Sequence, residues 1–328
     1  MAGSQVSIRY LSRDAVASLG LSGRDMADAI ETALKAAAQG AAQNFPKISK
    51  VLPDGRLFQS IMAVGFSAPA PLMAATKVIG LSSSNSERGL PHLGGVIILN
   101  DGVTGMPAAI MDATWITEAR TAAISLVVAR RFARQNSHRI GFIACGGQAL
   151  SHLWVFKEIF PLSTVTAYSR SKASAEKLAR AAKEMGLEAR TTDDPRAAIS
   201  EQDIVVSSVP AAPGLEPFLR PEWLSPGSFA TLVDLGRSWH PHGFETFAHV
   251  IVDDRTQAAA SAAYRKLTPD GPYTADLSDL AKDPDLGRTR DTDRAVFTFQ
   301  GMALADLAVA ALALRAAEAA NIGTLLPA

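Results

Sequence analysis

The sequence predicts an α/β protein in which a doubly wound parallel sheet is joined to a smaller α/β unit. Three observations predict it. From Arg139 onward, apolar strands alternate with helical stretches, the texture of a parallel sheet covered by helices on both faces. The stretch RIGFIACGGQALSHL, from Arg139 to Leu153, runs from an apolar strand through a small-residue turn into a helix start, as in a Rossmann-type strand-turn-helix unit. The 328 residues are also enough for two domains, each with its own core.

The elements follow in order. Ser22 with Asp25 three residues later makes a capping-box-like start, Gly40 makes a stop, and Met26, Ile30 and Leu34 share a face, so a helix is expected over 24–39. Short β-like runs at 57–64, Met73–Leu81 and 96–100, the last leading into the turn Asp101-Gly102 before 107–111, form a small antiparallel or mixed sheet. A helix over 117–132 precedes the alternating part. There the strands are 139–144, Thr164–Tyr168, 187–191, 204–209, 229–235 and 250–252. Helices lie between them at 149–159, 172–185 and 196–200, the last behind an Asp194 cap and Pro195. The alanine-rich helix Ala303–Ala319 falls outside the alternation and is expected to pack on the N-terminal part. The segment 268–290 reads as loop and is expected to cover the site.

Composition excludes several partners. Lys plus Arg and Asp plus Glu both total 32, so no net field draws the chain to nucleic acid or to an anionic membrane, and a small molecule is the expected partner. The single cysteine, Cys145, makes no intrachain disulfide or cysteine-based metal site; a cytoplasmic location fits, and MAGSQVSIRYLSRDAVASLG lacks the apolar core of a signal peptide. The apolar run 307–314 is too short to span a bilayer.

The small-residue turn at Ala144 to Ala149 lets the backbone approach a pyrophosphate, with free amides at the start of the next helix; Gly146, Gly147, Gln148 and Ala149 are the candidate cofactor residues. Ala144 stands where the first glycine of the dinucleotide pattern would be. The second strand ends Tyr168-Ser169-Arg170-Ser171-Lys172, with no acid to receive a ribose 2′-hydroxyl. Arg170 and Lys172 suit a 2′-phosphate and Ser169 and Ser171 can donate to it, which favours NADP(H) over NAD(H); alternatively Ser171 only caps the next helix. Lys77, on an apolar strand, needs an anion to offset its burial. Arg120, at the start of a helix of small residues, has the fork that suits a carboxylate; the competing reading pairs it with Glu118 or Asp112.

These residues carry a resemblance. KVIGL, Asn85, GLPHLGGVIILND, TGMPAAIMDATWITEARTAA, ACGGQA and FQGMALAD resemble the ornithine cyclodeaminase/mu-crystallin family over nearly the whole chain. The resemblance implies that 1–120 with 303–328 form a substrate-binding and dimerisation domain, that 121–302 form an NAD(P)-binding Rossmann domain, and that the chain is a homodimer. It implies that Lys77 and Arg120 hold a substrate carboxylate at the nicotinamide, with Lys77 assisting proton transfer. Lys47 stands where the family usually has an arginine, His92 lines the pocket or braces its turn, and Gly236, Ser238 and Gly301 complete the candidate cofactor set. Where the cyclodeaminases have an aspartate this chain has Ser238, so that activity is not carried over; Asp234 either substitutes or anchors the loop. Asp306 resembles a family aspartate, with a pocket or a structural role. His240 and His242 are candidate proton donors or solvated loop residues, with no metal pattern beside them. The expected activity is NADPH-dependent reduction of a small imino or ketimino acid, or its reverse. The alternatives are a cyclodeaminase-like lyase using bound NAD catalytically and a non-catalytic NADPH-binding crystallin-like protein.

Overall fold

The computed structural model describes residues 7–65, 72–212, 214–261 and 265–327; the first six residues of the stretch read for a signal peptide lie outside it. In chain order the strands are β1 Ser7–Leu11, β2 Ala42–Asn44, β3 Ile48–Val51, β4 Leu57–Gly65, β5 Met73–Leu81, β6 Leu93–Asp101, β7 Pro107–Asp112, β8 Arg139–Ile143, β9 Thr164–Tyr168, β10 Glu188–Thr191, β11 Ile204–Ser207, β12 Phe229–Leu232, β13 His249–Val252, β14 Ala275–Asp276, β15 Ala295–Thr298 and β16 Thr324–Pro327. The helices are α1 Arg13–Ala17, α2 Gly23–Ala38, α3 Ala113–Phe132, α4 Gly147–Lys157, α5 Lys172–Glu184, α6 Pro195–Ile199, α7 Arg255–Ala259, α8 Leu277–Lys282 and α9 Ala303–Ala319. Two compact units divide inside α3: Met1–Arg120 with Met302–Ala328, and Thr121–Gly301.

The first unit is a mixed sheet in the order β16-β1-β7-β6-β5-β4-β2, with β3 also on β4. The pairs from β7 to β2 are antiparallel, as is β16 on β1, while β1 on β7 is parallel. Alternation along β5 buries Met73, Ala75, Lys77 and Ile79, and α9 packs against β4 and β5 with α2 beside it. That position explains the composition of α9, which is apolar on every side and buried over most of its length. The start of α2 is capped by Ser22, whose hydroxyl accepts from the Asp25 amide at 3.0 Å. β16 is absent from the expectations above because all its side chains are exposed, and β1 because only Leu11 in it is buried, so neither has the apolar alternation that marks a strand.

The second unit is a parallel sheet in the order β10-β9-β8-β11-β12-β15-β13-β14, every pair of which is parallel. The chain winds outward from β8 to β10 and returns to β11, which puts the topological switch at the carboxyl ends of β8 and β11, where doubly wound sheets place ligands. Gly141, inside β8, is required by packing: a Cβ there would lie 2.0 Å from the Ala198 carbonyl oxygen on α6. Three strands end earlier than their apolar runs suggest. Beyond two of them the chain turns left-handed, at Ala144 (φ 65°) after β8 and at Leu235 (φ 61°) after β12. Nor is 268–290 loop throughout, since it contains β14 and α8, the latter started by a reciprocal capping box between Asp276 and Asp279.

Candidate functional site

The first unit gathers a buried charged cluster. Lys77 leaves the inner face of β5, where its cross-strand neighbours are Ile61 and Ile97, both buried. An ammonium in such surroundings is costly unless an anion meets it. Asp306, in the first turn of α9, does so: Oδ1 lies 2.7 Å from Lys77 Nζ and 3.1 Å from Arg120 Nε. Thr117 Oγ1, one helical turn before Arg120 on α3, accepts from Lys77 at 3.3 Å. Lys77, Arg120 and Asp306 are 2%, 7% and 1% exposed, so two basic side chains and one acidic one share a desolvated cluster.

Local structure aims each of these groups. Asn44, at the end of β2, accepts from the Leu304 amide at 2.8 Å and so caps α9 from a distant strand, fixing the turn that carries Asp306. Asp112 caps α3, its Oδ1 accepting from the Thr114 and Trp115 amides at 2.9 and 3.0 Å. Glu118 pairs with Arg13 at 3.3 Å, and burial pushes its carboxyl above the ordinary range against the Arg13 charge. Arg120 therefore pairs with Asp306, and not with Glu118 or Asp112 as the competing reading of the sequence had it. The partner was missed because it is contributed by the other end of the chain.

Two further candidates lie on the loops and strands of the same unit. His92 is exposed, and its Nδ1 donates to the Ser82 carbonyl at 3.0 Å, which braces the turn. Lys47 is half-buried between β2 and β3.

In the second unit the β8–α4 turn has the form a phosphate ligand needs. Ala144 takes a left-handed backbone and its amide donates to the Tyr168 carbonyl at 2.9 Å, which ties the turn to β9. Gly146 is the N-cap of α4 and offers no side-chain cap, Gly146 and Gly147 are exposed, and a Cβ on Gly146 would meet no heavy atom within 4 Å. The amides and positive dipole end of an eleven-residue helix thus face open space. Gln148 and Ala149 continue that first turn, Ala149 fully buried. Cys145 is packed beneath the turn with its thiol pushed up to about 12 by burial, which makes it an inert packing residue.

Behind this turn lies a polar network that the sequence reading missed. His152, fully buried on α4, places Nδ1 2.7 Å from the Gln148 carbonyl and Nε2 3.0 Å from Ser125 Oγ, which lies 2.9 Å from Thr231 Oγ1. A carbonyl only accepts, so Nδ1 carries the proton and Nε2 is the acceptor. Burial lowers this imidazole to about 4.

At the end of β9, Arg170 and Lys172 are exposed and Ser169 is half-buried, while the Ser171 hydroxyl accepts from the Ser174 amide at 3.4 Å as the cap of α5. Ser171 thus does what the alternative reading expected of it. Gly236 needs its identity twice over: φ is +70°, and a Cβ would lie 2.1 Å from the Thr268 carbonyl oxygen. Ser238 is fully buried and donates to Asp234 Oδ2 at 2.6 Å. Asp234 also receives Ser207 Oγ at 3.2 Å and the Gly236 and Val209 amides at 3.0 and 3.4 Å. Burial raises its carboxyl pKa, opposed first by the Ser238 hydrogen bond. These bonds make Asp234 an anchor of the loop. Gly301 is buried with φ +79°, its carbonyl 3.5 Å from Gln257 Nε2. His240 is half-buried, His242 is exposed, and no cluster of metal-ligating side chains occurs among the described residues.

The chain is similar to known proteins over nearly its whole length. The ornithine cyclodeaminase/mu-crystallin family model matches residues 9–320. Alanine dehydrogenase of Archaeoglobus fulgidus is 29% identical over 324 residues, covering 96% of each chain. Ketimine reductase mu-crystallin of Mus musculus is 26% identical over 275 residues, 79% of this chain and 85% of the relative. Among solved structures, an archaeal alanine dehydrogenase dimer with bound NAD superposes with a TM-score of 0.82 at 26% identity, covering 98% of this chain and 99% of that one.

Proposed function

Because the chain belongs to the ornithine cyclodeaminase/mu-crystallin family, we propose that it reduces the C=N bond of a small imino or ketimino acid to an amino acid, using NADPH in preference to NADH, or runs the same reaction as an amino-acid oxidation. The observation that carries this reading is the buried Lys77–Arg120–Asp306 cluster, in which two basic side chains converge where a substrate carboxylate can be received. Arg120 and Lys77 hold that carboxylate and fix the orientation of the imine carbon, and positioning of this kind accounts for much of the rate. Lys77 holds or returns the proton on the substrate nitrogen. Lys47, as an ammonium, adds a point charge without the bidentate grip of the arginine the family usually has there.

The cofactor reading rests on the open amides of α4. Gly146, Gly147, Gln148 and Ala149 take the pyrophosphate there, and Gly236 and Gly301 keep backbone close to the bound nucleotide. When bound, the reduced nicotinamide supplies the hydride. Arg170 and Lys172, both exposed at the end of β9, receive the 2′-phosphate of NADPH.

The homodimer reading is supported by the outer face of the first sheet, where Val78 pairs in register with Val96 and both are exposed, with Phe58 (53% exposed) beside them. Turnover of NADPH on a panel of cyclic and linear 2-imino acids tests the activity. NADPH binding without turnover on any imine would leave the crystallin-like alternative, and release of ammonia without net NADPH consumption would favour the lyase.

A further inference from the structure

The Asp306 carboxylate is only half used. Its Oδ1 meets both Lys77 Nζ and Arg120 Nε, whereas its Oδ2 is buried and has no hydrogen-bond partner among the described residues. Arg120 has the opposite deficit: its Nε and Nη1 are buried without a hydrogen-bond acceptor among the same residues, because the 3.1 Å approach of Nε to Oδ1 is poorly aligned. Buried polar atoms left in this condition are costly. A carboxylate whose sole task was to neutralise the neighbouring cations would gain by engaging them through both oxygens. Here one oxygen is withheld, and the cluster asks simultaneously for an acceptor at Arg120 and a donor at Asp306.

One small molecule meets both demands if it carries an oxyanion and an N–H on adjacent atoms, as an α-imino or α-amino acid does. Resting on the imino-acid reading above, we propose that Asp306 Oδ2 accepts the N–H of the substrate nitrogen, and that this contact distinguishes imino acids from 2-oxo acids of the same shape. The charges then match group by group: the ligand carboxylate faces Arg120 and Lys77, and the protonated imine faces Asp306. The contact favours the iminium form, whose carbon is the more electrophilic. On reduction the carbon gains the hydride, the C=N π pair becomes the nitrogen lone pair, and NADPH is oxidised to NADP+. The resulting neutral amine then takes one proton from Lys77 or solvent to become the ammonium. A 2-oxo acid brings carbonyl lone pairs against Oδ2, and a site built to hydrogen-bond one group rejects an isostere that lacks it.

Two planar probes isolate the contact: pyrrole-2-carboxylate, with a ring N–H beside the carboxylate, and furan-2-carboxylate, with a ring oxygen in that place. Their dissociation constants are measured by calorimetry on the full-length protein saturated with NADPH. The expected result is binding of the pyrrole at least about tenfold tighter than the furan, the size of one hydrogen bond to a charged group. In Asp306→Asn the amide oxygen turns to Lys77 and the NH2 occupies the place of Oδ2, so the preference disappears or reverses. Equal binding of the two probes by the wild-type protein would overturn the proposal and leave imine reduction standing. So would a pyrrole preference undiminished in a folded Asp306→Asn, because the N–H would then be received elsewhere. Binding of neither probe, together with no imine turnover, would overturn the imino-acid reading and this inference with it. If Asp306→Asn does not fold, the wild-type ratio decides alone.

Discussion

The two candidate sites are built by opposite means. In the first unit charged side chains are gathered from β5, α3 and α9, with Lys77 and Asp306 separated by 229 positions in the chain. In the second unit backbone is offered instead: consecutive amides at one turn, kept open by small residues and by the absence of a capping side chain. The difference teaches where each unit is fragile. The charged cluster depends on the identity of three side chains and on two helix caps that aim them, while the turn tolerates many side-chain changes but no intruding Cβ where strands and helices approach closely.

The largest effect expected is that of Lys77→Ala. On the proposed reading it removes one carboxylate-binding cation and the group that handles the proton, so kcat/KM for the preferred imino acid should fall by about 10²-fold or more. NADPH affinity, measured by fluorescence titration, should stay within about twofold of wild type. Equal losses in the two measurements would break the division of labour between the units.

Next comes a change that strikes only the second unit. In Gly141→Ala the new Cβ would lie 2.0 Å from the Ala198 carbonyl oxygen, so α6 must move off the sheet, at a cost of about 1–3 kcal/mol or more. Thermal denaturation followed by circular dichroism checks this, and a melting temperature within one degree of wild type would show that the strand accepts the methyl group.

Such differences also decide how much could be read from the amino-acid sequence. The strands from β8 to β12 are legible because continuous apolar runs such as Ile204-Val205-Val206 have few other uses, and the β8–α4 turn is legible because its function is local. Lys77 is legible as an anomaly, a lysine among buried apolar residues. Its partner is not, since no spacing rule links β5 to α9; Asp306 could only be left between a pocket and a structural role. The His152–Ser125–Thr231 network was missed for the same reason, its members lying 27 and 106 positions apart. β15 escaped because AVFT is a short run at the end of a long polar stretch, and only its place between β12 and β13 makes it a central strand.

A smaller effect is expected of Arg170→Ala. If the exposed guanidinium reads the 2′-phosphate, NADPH binding should weaken about tenfold with NADH binding nearly unchanged, a difference of about 1.4 kcal/mol that shrinks with added salt. Equal effects on the two cofactors would remove Arg170 from the binding site and leave the coenzyme preference to the rest of the turn.

The smallest effect tests whether the backbone turn is as free of side-chain charge as the comparison holds. His152 supports the first turn of α4 through the Gln148 carbonyl and is held at about 4, below the 6.5 of an unburied imidazole, by burial. Between those values the unfolded chain binds a proton that the folded chain does not, so stability is full above about pH 6.5 and is lost as the pH falls towards 4. Between pH 7 and 6 the loss from this group is under about 1 kcal/mol, and it steepens towards a ceiling of about 1.4 kcal/mol per pH unit. His249 contributes in the same direction, lowered by its own burial against the attraction of Asp293, so the wild-type curve alone does not assign the effect. Denaturant midpoints of wild type and His152→Gln across pH 7.5 to 5 do assign it, because glutamine can keep a donor and an acceptor without a titrating ring. A flatter acid limb in the variant, with NADPH affinity nearly unchanged at pH 7.5, would make His152 a neutral brace of the turn. Parallel curves would mean that His152 does not carry the acid sensitivity, and a large loss of NADPH affinity at pH 7.5 would show that the backbone site depends on side chains after all.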